Sequence, residues 1–289
     1  MDSVVWTRIK YGTAMLATLC GLLALDAWLE RSACFGVIVT AAVIFGTREF
    51  CSLAQRAGMA LASARMTATG GLLIAFAALA HELDWSWWSV DAVELPIAMA
   101  MFFLLVFPAL AREPSMAGFQ AICASLFGFV YIWGLARYIL ALRHLEDVGL
   151  SAAFYCILIA KGTDIFAYFT GRAFGRRKLI PHISPGKTVA GFVGGMSGAL
   201  AITAGFVLWT PLGTILPWFY ALPFAIVIGL VVVAGDLVES LIKRSFATKD
   251  SANLLPAFGG VLDVIDSILA AAPFVYYGLE LSRRFSSGD

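Results

Sequence analysis

Mostly apolar, uncharged stretches of roughly 15 to 20 residues recur along the whole chain, separated by short polar breaks. As a helix with a rise of 1.5 Å per residue, ~20 such residues cross the ~30 Å hydrocarbon core of a bilayer. The pattern predicts about nine spans, near residues 11–28, 33–50, 67–80, 95–110, 119–136, 150–169, 189–209, 217–235 and 265–281. Several of these are too short for a perpendicular crossing, so their helices extend into flanking polar residues, and 67–80 is the shortest. The expectation is an all-α polytopic membrane protein whose 289 residues form a single membrane domain, 1–149 as scaffold and 150–289 carrying the chemistry. No low-complexity segment, hydrophilic domain or internal repeat interrupts that reading.

Composition supports the membrane assignment: 61% of the residues are hydrophobic and only 13% charged, more apolar side chain than one soluble core hides. The first run, Tyr11 to Trp28, lacks a small-residue cleavage site and reads as the first helix. A net charge of +1 predicts no nucleic-acid partner. The cysteines (Cys20, Cys34, Cys51, Cys123 and Cys156) are odd in number and contain no CxxC pair, which argues for small apolar side chains over disulfides or a zinc site.

Lys and Arg set the orientation. With the N-terminus in the cytoplasm, most of the 20 basic residues fall inside, while the loop from His81 to Glu94, with Glu82, Asp84, Asp91, Glu94 and no base, falls outside. The two loops richest in polar residues, 170–188 and 236–264, then share the cytoplasmic side, where soluble nucleotides are found. The expected location is the cell (inner) membrane.

Before Gly149 the polar residues read as interfacial anchors, with Trp85, Trp87 and Trp88 as an aromatic belt, and Arg48 and Glu49 receive no role. From Lys161 onward ionisable residues enter apolar helices, where each costs about 2.5–3.5 kcal/mol unless it is paired, solvated or used. Lys161 and Asp164, at i and i+3, are able to neutralise each other. The stretch His182 to Thr188 followed by Gly191, Gly194, Gly195 and Gly198 combines backbone amides, hydroxyls and Lys187 at a helix start, the parts of a phosphate cradle. Its glycine spacing is not that of a Walker A loop, and small residues three or four apart also serve close packing of membrane helices. If the eighth span continues past the membrane surface, Asp236, Glu239, Ser240 and Lys243 share one helix face. Lys249-Asp250 follow, then Pro256, Gly259-Gly260, Asp263 and Asp266. Carboxylates beside bases suit Mg²⁺ and polyphosphate: oxygen ligands hold the ion, and the bases neutralise phosphate oxygens that the metal does not reach.

These residues, in this order, resemble the phosphatidate cytidylyltransferases over about Thr163 to Pro273. The resemblance rests on Ser240, Lys243-Arg244, Lys249-Asp250, Pro256, Gly259-Gly260, Asp263 and Asp266, on Asp164, Ala167, Tyr168, Gly171 and Arg172, and on Ile183 to Thr188. It implies that the phosphate of phosphatidic acid attacks the α-phosphorus of CTP to give CDP-diacylglycerol and pyrophosphate. It assigns catalysis to Asp236, Lys243, Arg244, Lys249, Asp250 and Asp263, and substrate binding to Asp164, Tyr168, Arg172, Ser184, Lys187, Thr188, Glu239 and Ser240. Asp236, Asp263, Asp250 and Asp266 become the metal ligands, for Mg²⁺ with room for a second cation, and the implied assembly is a homodimer. Three positions depart from the family pattern: Phe258 replaces a His, Val264 an Arg and Ala190 a Glu. The alternatives weighed are a CTP-dependent kinase of a polyprenol-type lipid and a membrane transporter.

Overall fold

The computed structural model describes residues 3–59, 61, 63–83, 99, 103, 104, 106, 115–246 and 259–287. It is built from helices: α1 (Ser3–Trp28), α2 (Ala33–Arg56), α3 (Ser63–Glu82), α4 (Met116–Arg143), α5 (Gly149–Phe174), α6 (Val189–Trp209), α7 (Trp218–Ser245) and α8 (Val261–Ser287). A two-stranded antiparallel hairpin joins α5 to α6, with β1 (Lys178–Ile180) pairing β2 (Ser184–Thr188). Among the described residues seven helices, α2 to α8, are long and apolar enough to cross a membrane, and α1 covers the expected span at 11–28. The expected span at 95–110 lies mostly outside the described residues. Outward faces carry large apolar side chains such as Val37, Leu72, Val193 and Phe219, as lipid contact requires. The chain is a membrane protein.

Its contacts form two compact units, Met1–Leu140 with Phe246–Val264, and Ala141–Ser245 with Ile265–Asp289. In the first, Phe35, Val43, Leu53, Ile74 and Ile132 are buried in the core. Phe50 stands between Phe127 and the edge of Phe246, and Phe127 stacks on Tyr131 with ring centroids 5.5 Å apart. Tyr131 belongs to a π turn, Val130–Gly134, that widens α4 by one residue.

Carboxylates tie the helix ends of this unit together. A helix N-terminus leaves its first N–H groups without intrahelical partners, and in an apolar environment each must be satisfied from elsewhere. Asp26, fully buried in α1, accepts from Cys34 N at 3.0 Å and Phe35 N at 2.8 Å and so caps α2 across the turn. Glu82 of α3 accepts from Ser32 N and Ser32 Oγ and pairs with Arg31 at 3.4 Å. Replacing Asp26 with Ala leaves two buried N–H groups unsatisfied, and the Asp26→Ala protein is expected to lose about 2 kcal/mol of stability. Thermal unfolding in a fixed detergent measures that loss.

In the second unit α5 and α6 meet along a glycine seam. A side chain at Gly191 would strike Ala167 O at 2.7 Å, and one at Gly195 would press on Thr163 and Ala167 at 3.2 Å, so the helices approach closely only because these positions lack one. Tyr155 and Thr203 share a buried hydrogen bond of 2.9 Å within the same interface. α7 lies on α6 where Gly229 meets Met196 and Ala199. It meets α8 at Gly235, where an added carbon would lie 2.5 Å from Ala270 Cβ. Gly235 thus brings the two helices together one residue before Asp236.

Candidate active site

Four segments of the second unit supply the polar residues. α5 carries the half-buried Lys161 and Asp164 near its middle and Tyr168 and Arg172 on its exposed last turns, where the Arg172 guanidinium donates to Tyr168 Oη at 3.2 Å. The hairpin carries Ser184 and Lys187, α7 carries Asp236 to Arg244, and α8 carries Asp266 and Ser267. α7 runs on to Ser245, well past the apolar run, and this extension puts Asp236, Glu239 and Lys243 on one side as the spacing predicts.

Carboxylate oxygens of Asp236, Glu239 and Asp266 all lie within 4.8 Å of one another. Glu239 and Asp266 are buried, at 1% and 4% exposure, and Asp236 is half-buried. Around them stand three lysines. Lys187 Nζ pairs with Asp236 Oδ2 at 2.9 Å and donates to Val233 O at 3.2 Å. Lys243 Nζ lies 2.6 Å from Glu239 Oε2. Lys161 Nζ donates to Ser267 Oγ at 2.7 Å and lies 3.6 Å from Asp266 Oδ1 and 3.5 Å from Asp164 Oδ2. Ser267 Oγ in turn donates to Asp164 Oδ2 at 3.1 Å, and Ser267 N donates to Asp266 Oδ1 at 2.6 Å.

Uncompensated charge in an apolar bundle is costly, so every carboxylate here has a cation or a donor beside it. The donor set tests whether a metal fits. Three carboxylates, with no His or Cys among them, are hard oxygen ligands. Their oxygens, within 4.8 Å of one another, are close enough for one small hard cation to be held by all three. The residues fit a hard divalent cation.

The sequence-predicted residues divide by position. Asp236, Glu239, Asp266, Lys187, Lys243, Lys161 and Asp164 come together in the second unit. Ser240 is half-buried one residue beyond Glu239, and Arg244 is exposed at the end of α7. Thr188 is buried and caps α6, its Oγ1 accepting from Gly191 N at 3.1 Å while Gly171, Gly175 and Gly191 close around it. Asp263, in the first unit, accepts from Gly260 N at 2.7 Å. Lys249, Asp250, Pro256 and Phe258 lie outside the described residues.

Ser267 is the polar residue of the site that sequence reading passed over. It bridges Lys161 and Asp164 from 106 and 103 positions away, a proximity that no helical spacing encodes. Its one sequence signal is that it directly follows Asp266. Glu239, read from the sequence as a substrate-binding residue, lies beside Asp236 and Asp266.

The sequence pattern of the cytidylyltransferase family matches residues 6–282. The chain belongs to the cytidylyltransferase family. This cytidylyltransferase is 37% identical over 203 residues to the phosphatidate cytidylyltransferase of Bacillus subtilis, covering 68% of this chain and 73% of that one. It is 31% identical to the phosphatidate cytidylyltransferase of Chlamydia pneumoniae over an alignment of 300 positions, 96% of this chain and 93% of the other. A third relative, the uncharacterized protein YnbB of Escherichia coli, is 33% identical over 237 residues, 73% of this chain and 78% of its own. The cytidylyltransferase is therefore a nucleotidyltransferase enzyme of the membrane.

Proposed function

We propose that this enzyme joins phosphatidic acid to CTP, releasing pyrophosphate and forming CDP-diacylglycerol for phospholipid synthesis, with Mg²⁺ held by Asp236, Glu239 and Asp266. The observation that carries the reading is the three-carboxylate cluster flanked by Lys187 and Lys243, on helices whose remaining surface suits lipid. A lipid phosphate and a nucleotide triphosphate meet there without either substrate leaving its own phase.

The reaction balances simply. An oxygen of the phosphatidate monoester, already an anion near neutral pH, bonds to the α-phosphorus of CTP, and the bond from that phosphorus to the β-phosphate oxygen breaks. No strong protein base is required, so an apolar Phe258 is compatible with turnover. Bound at the cluster, Mg²⁺ would neutralise charge on the phosphate oxygens and on departing pyrophosphate. Lys187 and Lys243 hold donors at the edge of the cluster, and on the family resemblance Arg244 and Lys249 bind phosphate. On the family resemblance Asp250 and Asp263 belong to the catalytic set. On the family resemblance Ser184, Thr188, Ser240, Tyr168 and Arg172 bind substrate, with Thr188 acting through the start of α6.

The reading places the active-site ends of α5, α7 and α8 on the cytoplasmic face of the cell (inner) membrane, on the distribution of Lys and Arg. It takes the protein as a homodimer, on family resemblance alone. Detergent-purified protein given CTP, phosphatidic acid and Mg²⁺ is expected to release pyrophosphate in amounts equal to the CDP-lipid formed, and excess EDTA is expected to stop it. Release of CDP in place of pyrophosphate, or none from folded protein, would overturn the assignment.

A further inference from the structure

Glu49 lies near the C-terminal end of α2, far in sequence from the residues of the acidic cluster, and it is 4% exposed. Its two oxygens are engaged: Oε1 accepts from Val261 N at 2.9 Å and Oε2 from Leu262 N at 2.8 Å. Val261 and Leu262 are the first two residues of α8, whose N–H groups no helical carbonyl reaches. The preceding amide, Gly260 N, is taken by Asp263 Oδ2 at 2.7 Å. Three consecutive donors at the start of α8 are thus met by two carboxylates, Asp263 of its own first turn and Glu49 of α2. Gly259, at φ +92°, gives the chain the left-handed turn by which it enters this clamp.

A bidentate carboxylate fixes more than the end of a helix. Two bonds to successive amides, strengthened by charge and by the helix dipole, leave α8 little freedom to rotate about its axis or slide along it. Asp266 is one turn beyond Leu262 on that helix, and each residue of slip would turn it by about 100°. We propose that Glu49 is a positioning residue of the enzyme: by clamping Val261 N and Leu262 N it sets the axial place and rotation of α8 at which Asp266 presents its carboxylate to a divalent cation. The inference rests on the reading of Asp266 as a metal ligand.

The test compares Glu49→Gln with Asp26→Ala, which removes an equally buried carboxylate cap, on α2, and touches nothing of α8. Glutamine keeps one acceptor oxygen and turns an amide NH₂ toward the second N–H. In Glu49→Gln, hydrogen exchange of the amides at 261 and 262, followed by mass spectrometry in detergent, is expected to accelerate at least tenfold. The Mg²⁺ concentration giving half of the full thermal stabilisation is expected to rise at least fivefold. Asp26→Ala lowers the unfolding temperature with neither change. Val261→Pro is the second variant: proline is well tolerated at the first helical position and deletes one donor to Glu49, so a smaller shift in the same direction is expected even where Glu49→Gln folds poorly. An unchanged Mg²⁺ midpoint in both α8-directed variants, with wild type responding normally, would leave Glu49 a structural cap only. A wild type that Mg²⁺ does not stabilise would instead remove the metal reading of the cluster, and the proposal with it.

Discussion

The Asp236→Asn protein is expected to form CDP-lipid at least roughly 100-fold more slowly than wild type while remaining folded, a loss of the size seen when one preorganised charge-stabilising group is removed. Two observations separate the activity from the stability. Asp236 contributes an oxygen to the carboxylate cluster, so removing its charge weakens the hold on Mg²⁺ at the centre of the reaction. Its partner Lys187 keeps a second acceptor, Val233 O at 3.2 Å, and is not stranded. The Lys187–Asp236 pair is also partly open, with side chains 20% and 33% exposed, so its loss costs about 1 kcal/mol or less. Pyrophosphate release and thermal unfolding measured on the same preparation check both halves, and a variant that melts early but turns over normally would take Asp236 out of the site.

The second large effect is expected at Lys161, and there stability and activity fall together. One ammonium group serves Ser267, Asp164 and Asp266 at 2.7, 3.5 and 3.6 Å. In Lys161→Met two carboxylates on neighbouring helices face each other with no cation between them. Breaking a buried pair in this way costs about 3 kcal/mol, the low end of the usual range because a third of Asp164 remains exposed. Adding Asp164→Asn to Lys161→Met removes one of the two stranded charges, so at least about 1 kcal/mol of stability is expected to return. Activity is not expected to return, because Asp266 still lacks its counter-charge. Strictly additive losses in the double variant would mean that the two side chains do not interact, against the geometry.

Hydropathy made the membrane helices legible, because the length of an apolar run and the thickness of a bilayer are linked by the fixed rise of a helix. Their ends were less legible. α3 begins at Ser63 and stops at Glu82, taking in Arg65 and His81, and α7 continues ten residues past Gly235, since once a helix is set by its apolar part the polar flanks extend it cheaply. Within one helix the site was legible too: the spacing of Asp236, Glu239 and Lys243 placed them together. Contacts between elements were not. Nothing in the sequence links Lys187 to Asp236, Lys161 to Ser267, or Glu49 to Val261, because periodicity reports which face a residue occupies and not what that face meets. The hairpin at 178–188 escaped for another reason: strands of three and five residues carry too little alternation to register. The π turn in α4 left no pattern at all.

The clamp made by Glu49 spans 212 positions, and that distance has a consequence for how the protein is made. Asp26 finds its amides eight and nine residues downstream, almost as soon as they leave the ribosome. At 5–20 residues per second, Glu49 waits about 10–40 s for Val261 and Leu262 to be synthesised. Phe50 likewise waits for Phe246. During that interval the N-terminal helices sit in the bilayer before Glu49 has the two amide donors of α8, so chains cut short before the last helix lack this clamp.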